Sequence, residues 1–231
     1  MANRKIYQYP SQKLRGKSEP ITAFNDDFKS LVQDLYDTNN VHQGVGIAAP
    51  QIGYSQRVVI IDCTKLGASV EYENPEPVEE LGDPQQMVIV NPTLTLSGPK
   101  HQWKEACLSI PGVSGMVERS QFVELKFQNY YGEHRTLSLD WPLSGVVQHE
   151  CDHLDGLLYV NRMRGLSRSM LLKKFQKKQK KLKALVNSMK LPSLEDDLEG
   201  APSRKKSSYT KKSKKRRKRA PKKNHLKKKK R

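Results

Sequence analysis

Three absences bound what this chain can be. Three cysteines in 231 residues are too few for a disulfide framework and suit a reducing compartment. No apolar run approaches the roughly 20 residues a membrane-crossing helix needs. The stretch from Met1 to Pro10 is polar and lacks the apolar core of a secretory signal, so a cytoplasmic location is expected. Acidic residues are missing from one end: residues 201–231 hold 18 of the 42 Lys and Arg and none of the 24 Asp and Glu. The first 200 residues are therefore charge-balanced, and the whole net charge of +18 belongs to the tail. With Tyr209 and Leu226 as its only bulky apolar residues, the tail cannot bury enough surface to offset its ordering entropy. It is predicted to be disordered when free, with polyanions as its natural partners.

What is present reads as one modest domain with an extension. Phe28, Leu31, Val32, Leu35 and Tyr36 recur at helical spacing and predict a helix from Asp26 to Thr38. Strand-like runs follow at Arg57–Asp62, Met87–Leu96, Phe122–Gln128 and Arg135–Leu139, the last two joined around Tyr131-Gly132 as a hairpin. The segment from Thr64 to Gln86, acidic and rich in proline and glycine, reads as an exposed loop. Leu171, Leu172, Phe175, Leu182, Leu185, Val186 and Met189 recur at helical spacing among eight lysines between 173 and 190, which predicts a basic amphipathic helix. The expected organisation is α+β: small antiparallel sheets packed around a central motif helix in residues 1–165, a basic helix over 166–190, and a linker and polybasic tail over 191–231. A monomer is expected.

The motif helix carries His149-Glu150-Cys151-Asp152-His153. Histidines four residues apart on a helix share one face, so both imidazoles can reach one ion while the glutamate flanks its open position. Asp140 is the expected N-cap, Pro142 fits the first turn, and Gly156 is placed to end the helix. A short HExxH string also arises by chance as a surface pair of histidines, so the rest of the sequence has to decide.

A hydrolytic metal site needs a third protein ligand beside an exchangeable water. Downstream there is none: position 159 is Tyr159, and Glu195, Asp196, Asp197 and Glu199 lie in the linker. Upstream, Cys63 ends the apolar run Val58-Val59-Ile60-Ile61, and Cys151 sits half a turn from both histidines, so both read as packing residues. Cys107, in Glu105-Ala106-Cys107-Leu108-Ser109-Ile110-Pro111, is the best remaining candidate.

With Gly44-Val45-Gly46-Ile47-Ala48-Ala49-Pro50-Gln51 added, the chain resembles the peptide deformylases of bacterial type. These residues, the Cys107 segment and Gln148-His149-Glu150-Cys151-Asp152-His153 match the family's GxGxAAxQ, EGCLS and QHExDH motifs in order, and the likeness runs from about residue 5 to 165. It implies that Cys107, His149 and His153 bind one divalent metal, Fe²⁺ by the bacterial pattern, while Zn²⁺, Ni²⁺ or Co²⁺ also suit a thiolate with two imidazoles. A water as fourth ligand would be the nucleophile and Glu150 the general acid/base. The Gln51 amide and the Leu108 backbone N–H would stabilise the oxyanion. The substrate implied is the formyl-methionine end of newly made polypeptides, with Val45, Gly46, Leu108 and Val146 as substrate-binding residues. Val146 and its neighbour Val147 fit core packing equally well. Ala106 departs from the family's glycine and adds a methyl beside the ligand cysteine. Glu105 and Arg119 are a candidate ion pair behind Cys107. The basic helix and tail would hold the enzyme on ribosomal RNA, as helices at the C-terminus do in the family. Two alternatives remain: a general metalloprotease, and a ribosomal RNA-binding protein whose deformylase-like domain is inactive.

Overall fold

The computed structural model describes residues 3–66 and 86–189. Most of the acidic loop, residues 67–85, and the linker and tail over 191–231 lie outside the described residues.

The first helix, α1, spans Asp26–His42. Its start follows from Asn25, whose side-chain oxygen accepts from the Phe28 N–H at 3.1 Å, with Asp26 and Asp27 in the first turn complementing the helix dipole. It buries Phe28, Leu31, Val32 and Leu35, as the periodicity predicted. It runs four residues beyond the predicted end because no breaker intervenes before Gln43, which stops it in the left-handed conformation (φ 54°).

The strands are β1 (Gly46–Ala48), β2 (Val58–Asp62), β3 (Gln86–Ala106), β4 (Ser114–Gln128) and β5 (His134–Leu139). They form one continuous antiparallel sheet in that order. β3 and β4 are longer than the apolar runs suggested, and the added lengths pair with each other from Lys100↔Ser120 to Ala106↔Ser114. Register shifts after Val90 and Ser97 bend this long ladder. At the first shift Asn91 sits at φ 51° and bonds both backbone groups of Ile21.

Helix α2 (Leu143–Leu154) lays Val147, Cys151 and Leu154 against Val59, Ile61, Ile89, Val123 and Leu125. Its N-cap is Pro142, not Asp140 as expected. Asp140 instead accepts from the Trp141 N–H at 2.6 Å through its side chain and from the Ser144 N–H at 2.9 Å through its carbonyl. Turning back on its own neighbour removes that carboxylate from the helix amides. Gly156 does end the helix: φ is +72°, and a Cβ there would lie 2.5 Å from the Arg15 carbonyl oxygen.

After the short α3 (Tyr159–Arg162), α4 (Gly165–Ser188) buries Leu171 and Phe175 in a cluster with Leu14, Cys107, Ile110, Val113 and Val117. Of the predicted apolar stripe, Val186 is also buried, while Leu182 and Leu185 stay about half exposed, so the second half of the helix docks through a narrower face. None of the described helices is long and apolar enough to cross a membrane.

Phe175, 2% exposed beside the Cys107 segment, is the main anchor of α4. Phe175→Ala should cost about 3–5 kcal/mol, whereas the exposed Leu185→Ala should change stability by less than about 0.5 kcal/mol. Urea unfolding midpoints of the two variants check this.

Candidate active site

The site forms where the end of β3 meets one face of α2. Helical spacing puts the His149 and His153 rings 5.1 Å apart, and Cys107, just past the last strand residue, brings its Sγ to 3.3 Å from His153 Nε2. The ligand atoms of Cys107, His149 and His153 all lie within 4.8 Å of one another. One sulfur and two imidazoles converging in this way fit a single borderline-soft divalent cation.

His149 is oriented from behind. Its Nδ1 meets Glu105 Oε2 at 2.6 Å, which leaves Nε2 for the cluster. Glu105 is held in turn by Arg119, at 2.6 Å (Nε) and 3.0 Å (an Nη). Arg119 also donates to Asp152 at 2.7 Å, and Asp152 accepts from Arg162 at 2.5 and 3.1 Å. Burial alone would raise the Glu105 pKa, but the hydrogen bonds from His149 and Arg119 outweigh it and bring it to about 2. Asp152 is likewise held below the ordinary range, its burial outweighed by Arg162 and Arg119.

The same competition activates Cys107. Burial opposes ionisation of its thiol, yet the His153 charge and the His149 hydrogen bond bring the pKa down to about 5. The other cysteines behave oppositely: burial pushes Cys63 up to about 12 and raises Cys151 as well, in keeping with packing roles.

Glu150 sits in the cleft wall against Gly46, where a Cβ would fall 2.7 Å from Glu150 Oε1, so only glycine permits this approach. Its Oε2 is buried without a hydrogen-bond partner among the described residues, as is Nδ1 of His153. Burial raises the Glu150 pKa, partly countered by the His149 and His153 charges. The Gln51 side-chain Oε1 accepts from the Ala48 N–H at 2.8 Å, which turns the side-chain amide nitrogen toward Cys107 Sγ (3.6 Å) and Ser109 Oγ (3.2 Å).

These groups line a cleft of about 470 Å³. The structure brings every sequence-predicted site residue to it except His153, which lies beneath: Gln51, Cys107, Leu108, His149 and Glu150, with Val45, Gly46 and Val146. Val147 is fully buried in the core instead. Ala106 is exposed, and its φ is not in the left-handed region, so the added methyl projects from ordinary strand backbone. The expected Glu105–Arg119 pair is present, but Asp152, Arg162 and Ser109 were missed. Asp152 stands inside the motif itself, and its place one residue before His153 was the available signal that it faces away from the cleft.

A buried glutamate beside a Cys/His/His cluster, on an antiparallel sheet backed by a helix, defines a metallohydrolase class of site. Comparison with known proteins narrows it. The family model for polypeptide deformylase matches residues 3–169. A peptide deformylase of Aquifex aeolicus is 37% identical over 174 residues, covering 75% of this chain and 95% of that protein. The crystal structure of a peptide deformylase from Legionella pneumophila superposes with a TM-score of 0.67 at 34% identity, covering 79% of this chain and 98% of that one. One from Ehrlichia chaffeensis in complex with actinonin gives 0.66 at 28% identity, covering 77% and 98%. The chain belongs to the polypeptide deformylase family, and it is a hydrolase acting on N-formylmethionyl peptides.

Because the folded Glu105 pKa of about 2 lies below its ordinary 4.5, the ionised carboxylate favours folding. This contribution is complete above pH 4.5 and is lost as pH falls toward 2. In urea unfolding of the metal-free protein, Glu105→Gln should be less stable than wild type near neutral pH. The gap should shrink as pH drops from 4.5 toward 2. Arg119→Ala, which leaves buried Glu105 with His149 alone and buried Asp152 with Arg162 alone, should cost up to about 5 kcal/mol near neutral pH.

Proposed function

We propose that the protein removes the formyl group from the N-terminal formyl-methionine of newly made polypeptides by metal-assisted hydrolysis, with Cys107, His149 and His153 holding one divalent cation. The convergence of these three ligand atoms within 4.8 Å beside Glu150 carries the reading. Fe²⁺ is the cation proposed, and Zn²⁺, Ni²⁺ or Co²⁺ suit the same donors. When bound there, such an ion supplies Lewis acidity toward water and the formyl carbonyl.

Glu150 acts as the general base and then the general acid. It takes the proton from the attacking water and delivers it to the departing methionine amine. Its raised pKa, caused by burial, suits a group that must both accept and release a proton near neutrality. Attack on the formyl carbon places negative charge on oxygen, and the amide of Gln51 and the Leu108 N–H are the donors assigned to it. The bond between the Gln51 oxygen and Ala48 supports this role, because it fixes the donor end before substrate arrives. Glu105 fixes the His149 ring through Nδ1. Val45, Gly46, Leu108 and Val146 take the substrate's N-terminal residue.

With protein loaded with Fe²⁺ or Ni²⁺ and formyl-Met-Ala-Ser as substrate, Glu150→Gln should lower kcat about 10²–10⁴ fold at unchanged metal content. Gln51→Ala should lower it about 10²–10³ fold. Formate release and elemental analysis of the same samples check both. Loss of metal in Glu150→Gln would reassign that residue.

The basic extension is assigned to location in the cytoplasm, on ribosomal RNA, with the enzyme acting as a monomer. α4 exposes Lys173, Lys174, Lys177, Lys178, Lys180 and Lys181 and has no acidic residue, and residues 201–231 add 18 positive charges. If about 6–10 phosphates are neutralised, RNA affinity should fall about 10³–10⁵ fold between 50 and 200 mM salt. Filter binding of the full chain and of a chain ending at Gly200 measures the salt slope. An equal slope for both would remove the tail from the interface.

A further inference from the structure

Two tryptophans stand beside the cleft, Trp103 in its lining and Trp141 behind it, and the mechanism uses neither. Trp103 lies on β3 two residues before Glu105, so both side chains leave the same face of the strand, about 7 Å apart along it. Glu105 reaches the back of His149, and Trp103 lines the cleft together with Val146 and His149. Its ring meets that of Trp141 edge to face, with centroids 4.5 Å apart and planes at 86°. Trp141 in turn occupies the space above Gly145 in the first turn of α2, where a Cβ would fall 2.8 Å from the indole ring. The second tryptophan therefore fills a gap that the missing side chain of Gly145 opens, and backs the first.

We propose that Trp103, held in place by Trp141 over Gly145, is a specificity-determining residue that selects a sulfur-containing side chain on the formylated residue. This assignment rests on the deformylase reading above. The other apolar lining, Val45, Ala106, Leu108, Pro111 and Val146, is aliphatic and offers a thioether nothing that it would not offer a methylene. An indole does differ, since sulfur near an aromatic ring gains a favourable contact that a CH₂ of similar size does not. Buried in the cleft, this contact predicts a preference of about 2- to 10-fold for methionine over norleucine, its unbranched sulfur-free analogue of similar length. Trp141 is a positioning residue, because it acts on substrate only through Trp103.

The test compares kcat/KM for formyl-Met-Ala-Ser and formyl-norleucine-Ala-Ser, using full-length protein loaded with Ni²⁺. Wild type, Trp103→Phe, Trp103→Leu and Trp141→Leu are measured. Wild type and Trp103→Phe, which keep an aromatic face, should prefer methionine. Trp103→Leu and Trp141→Leu should bring the ratio toward one, whatever happens to absolute rates. A merely structural role would lower both rates together and leave the ratio alone. Trp141 is not part of the cleft lining, so its variant gives the readout independently of any folding defect in Trp103→Leu. A wild-type ratio of one, or a wild-type ratio retained in either leucine variant, would overturn this assignment alone. Absence of formate from both substrates with metal-loaded wild type would overturn the deformylase reading and this inference with it.

Discussion

The chain of charges running from His149 through the buried Glu105, Arg119 and Asp152 to the half-exposed Arg162 is the constraint on which the rest depends. It connects α2, β3, β4 and α3, with the two arginine-to-carboxylate links nearest the site at 2.6 and 2.7 Å. Removing such charges from water costs several kcal/mol per ion, and each group here is tolerated because its neighbours replace the lost solvent. The chain also fixes register. Arg119 pairs with His101 across the β3–β4 ladder, and Glu105 with Gly115, so the two side chains meet only if that ladder is in this alignment. A slip of one residue would turn Arg119 to the opposite face and leave the buried Glu105 without its arginine. Strand register and the orientation of a cleft-lining histidine are thus set by the same contacts.

The opposite choice is made at Glu150. Where Glu105 is given an arginine and its pKa falls, Glu150 is buried against the backbone of Gly46 with one oxygen unpartnered, and its pKa rises. Two carboxylates in contact with the same histidine-bearing helix therefore differ in proton affinity through surroundings alone. Environments that drive similar groups apart in this way suit one to stay an anion and the other to the proton-carrying role proposed for Glu150. The oxygen without a partner among the described residues is a local cost in stability placed at the cleft, and the charge chain behind His149 supplies rigidity around it.

Much of this was legible in the sequence, for identifiable reasons. The HExxH spacing survives translation into structure because an α-helix has a fixed period, so His149, Glu150 and His153 could be placed from residue numbers. Cys107 followed by elimination and by resemblance, and the structure places it within reach of both histidines. The extent of β3 and β4 was not legible, since residues 97–104 are mostly polar and exposed and their pairing is with each other rather than with the core. Asp152 and Arg162 were missed because an ion pair between a buried aspartate and a half-exposed arginine ten residues on leaves no periodic trace. Asp140 looked like a cap by type, but its side chain found the adjacent backbone N–H first. Trp103 was hidden for a related reason: its relevance comes from the gap at Gly145, and a glycine's effect on a distant ring has no local signature.

The basic helix shows why the site and the extension need to be considered together. α4 is amphipathic in a literal division of labour: Leu171 and Phe175 enter the cluster that holds Cys107, while the lysines face outward. One of those lysines, Lys178, reaches back to donate to the Gly112 carbonyl, and Gly112 lines the cleft. On the proposed reading, an RNA backbone that attracts the lysine face pulls on a helix whose other face supports the segment carrying a metal ligand. A weakly docked helix would transmit that pull as distortion. Burying Phe175 at 2% exposure resists it, because the anchoring contacts must be broken before the helix can shift. The Lys178 contact differs from these anchors: it is exposed, and phosphate can compete for its ammonium without disturbing the core. Any influence of polyanion binding on the cleft therefore has a short physical route, from Lys178 to Gly112, while Cys107 stays held by Phe175 and its neighbours.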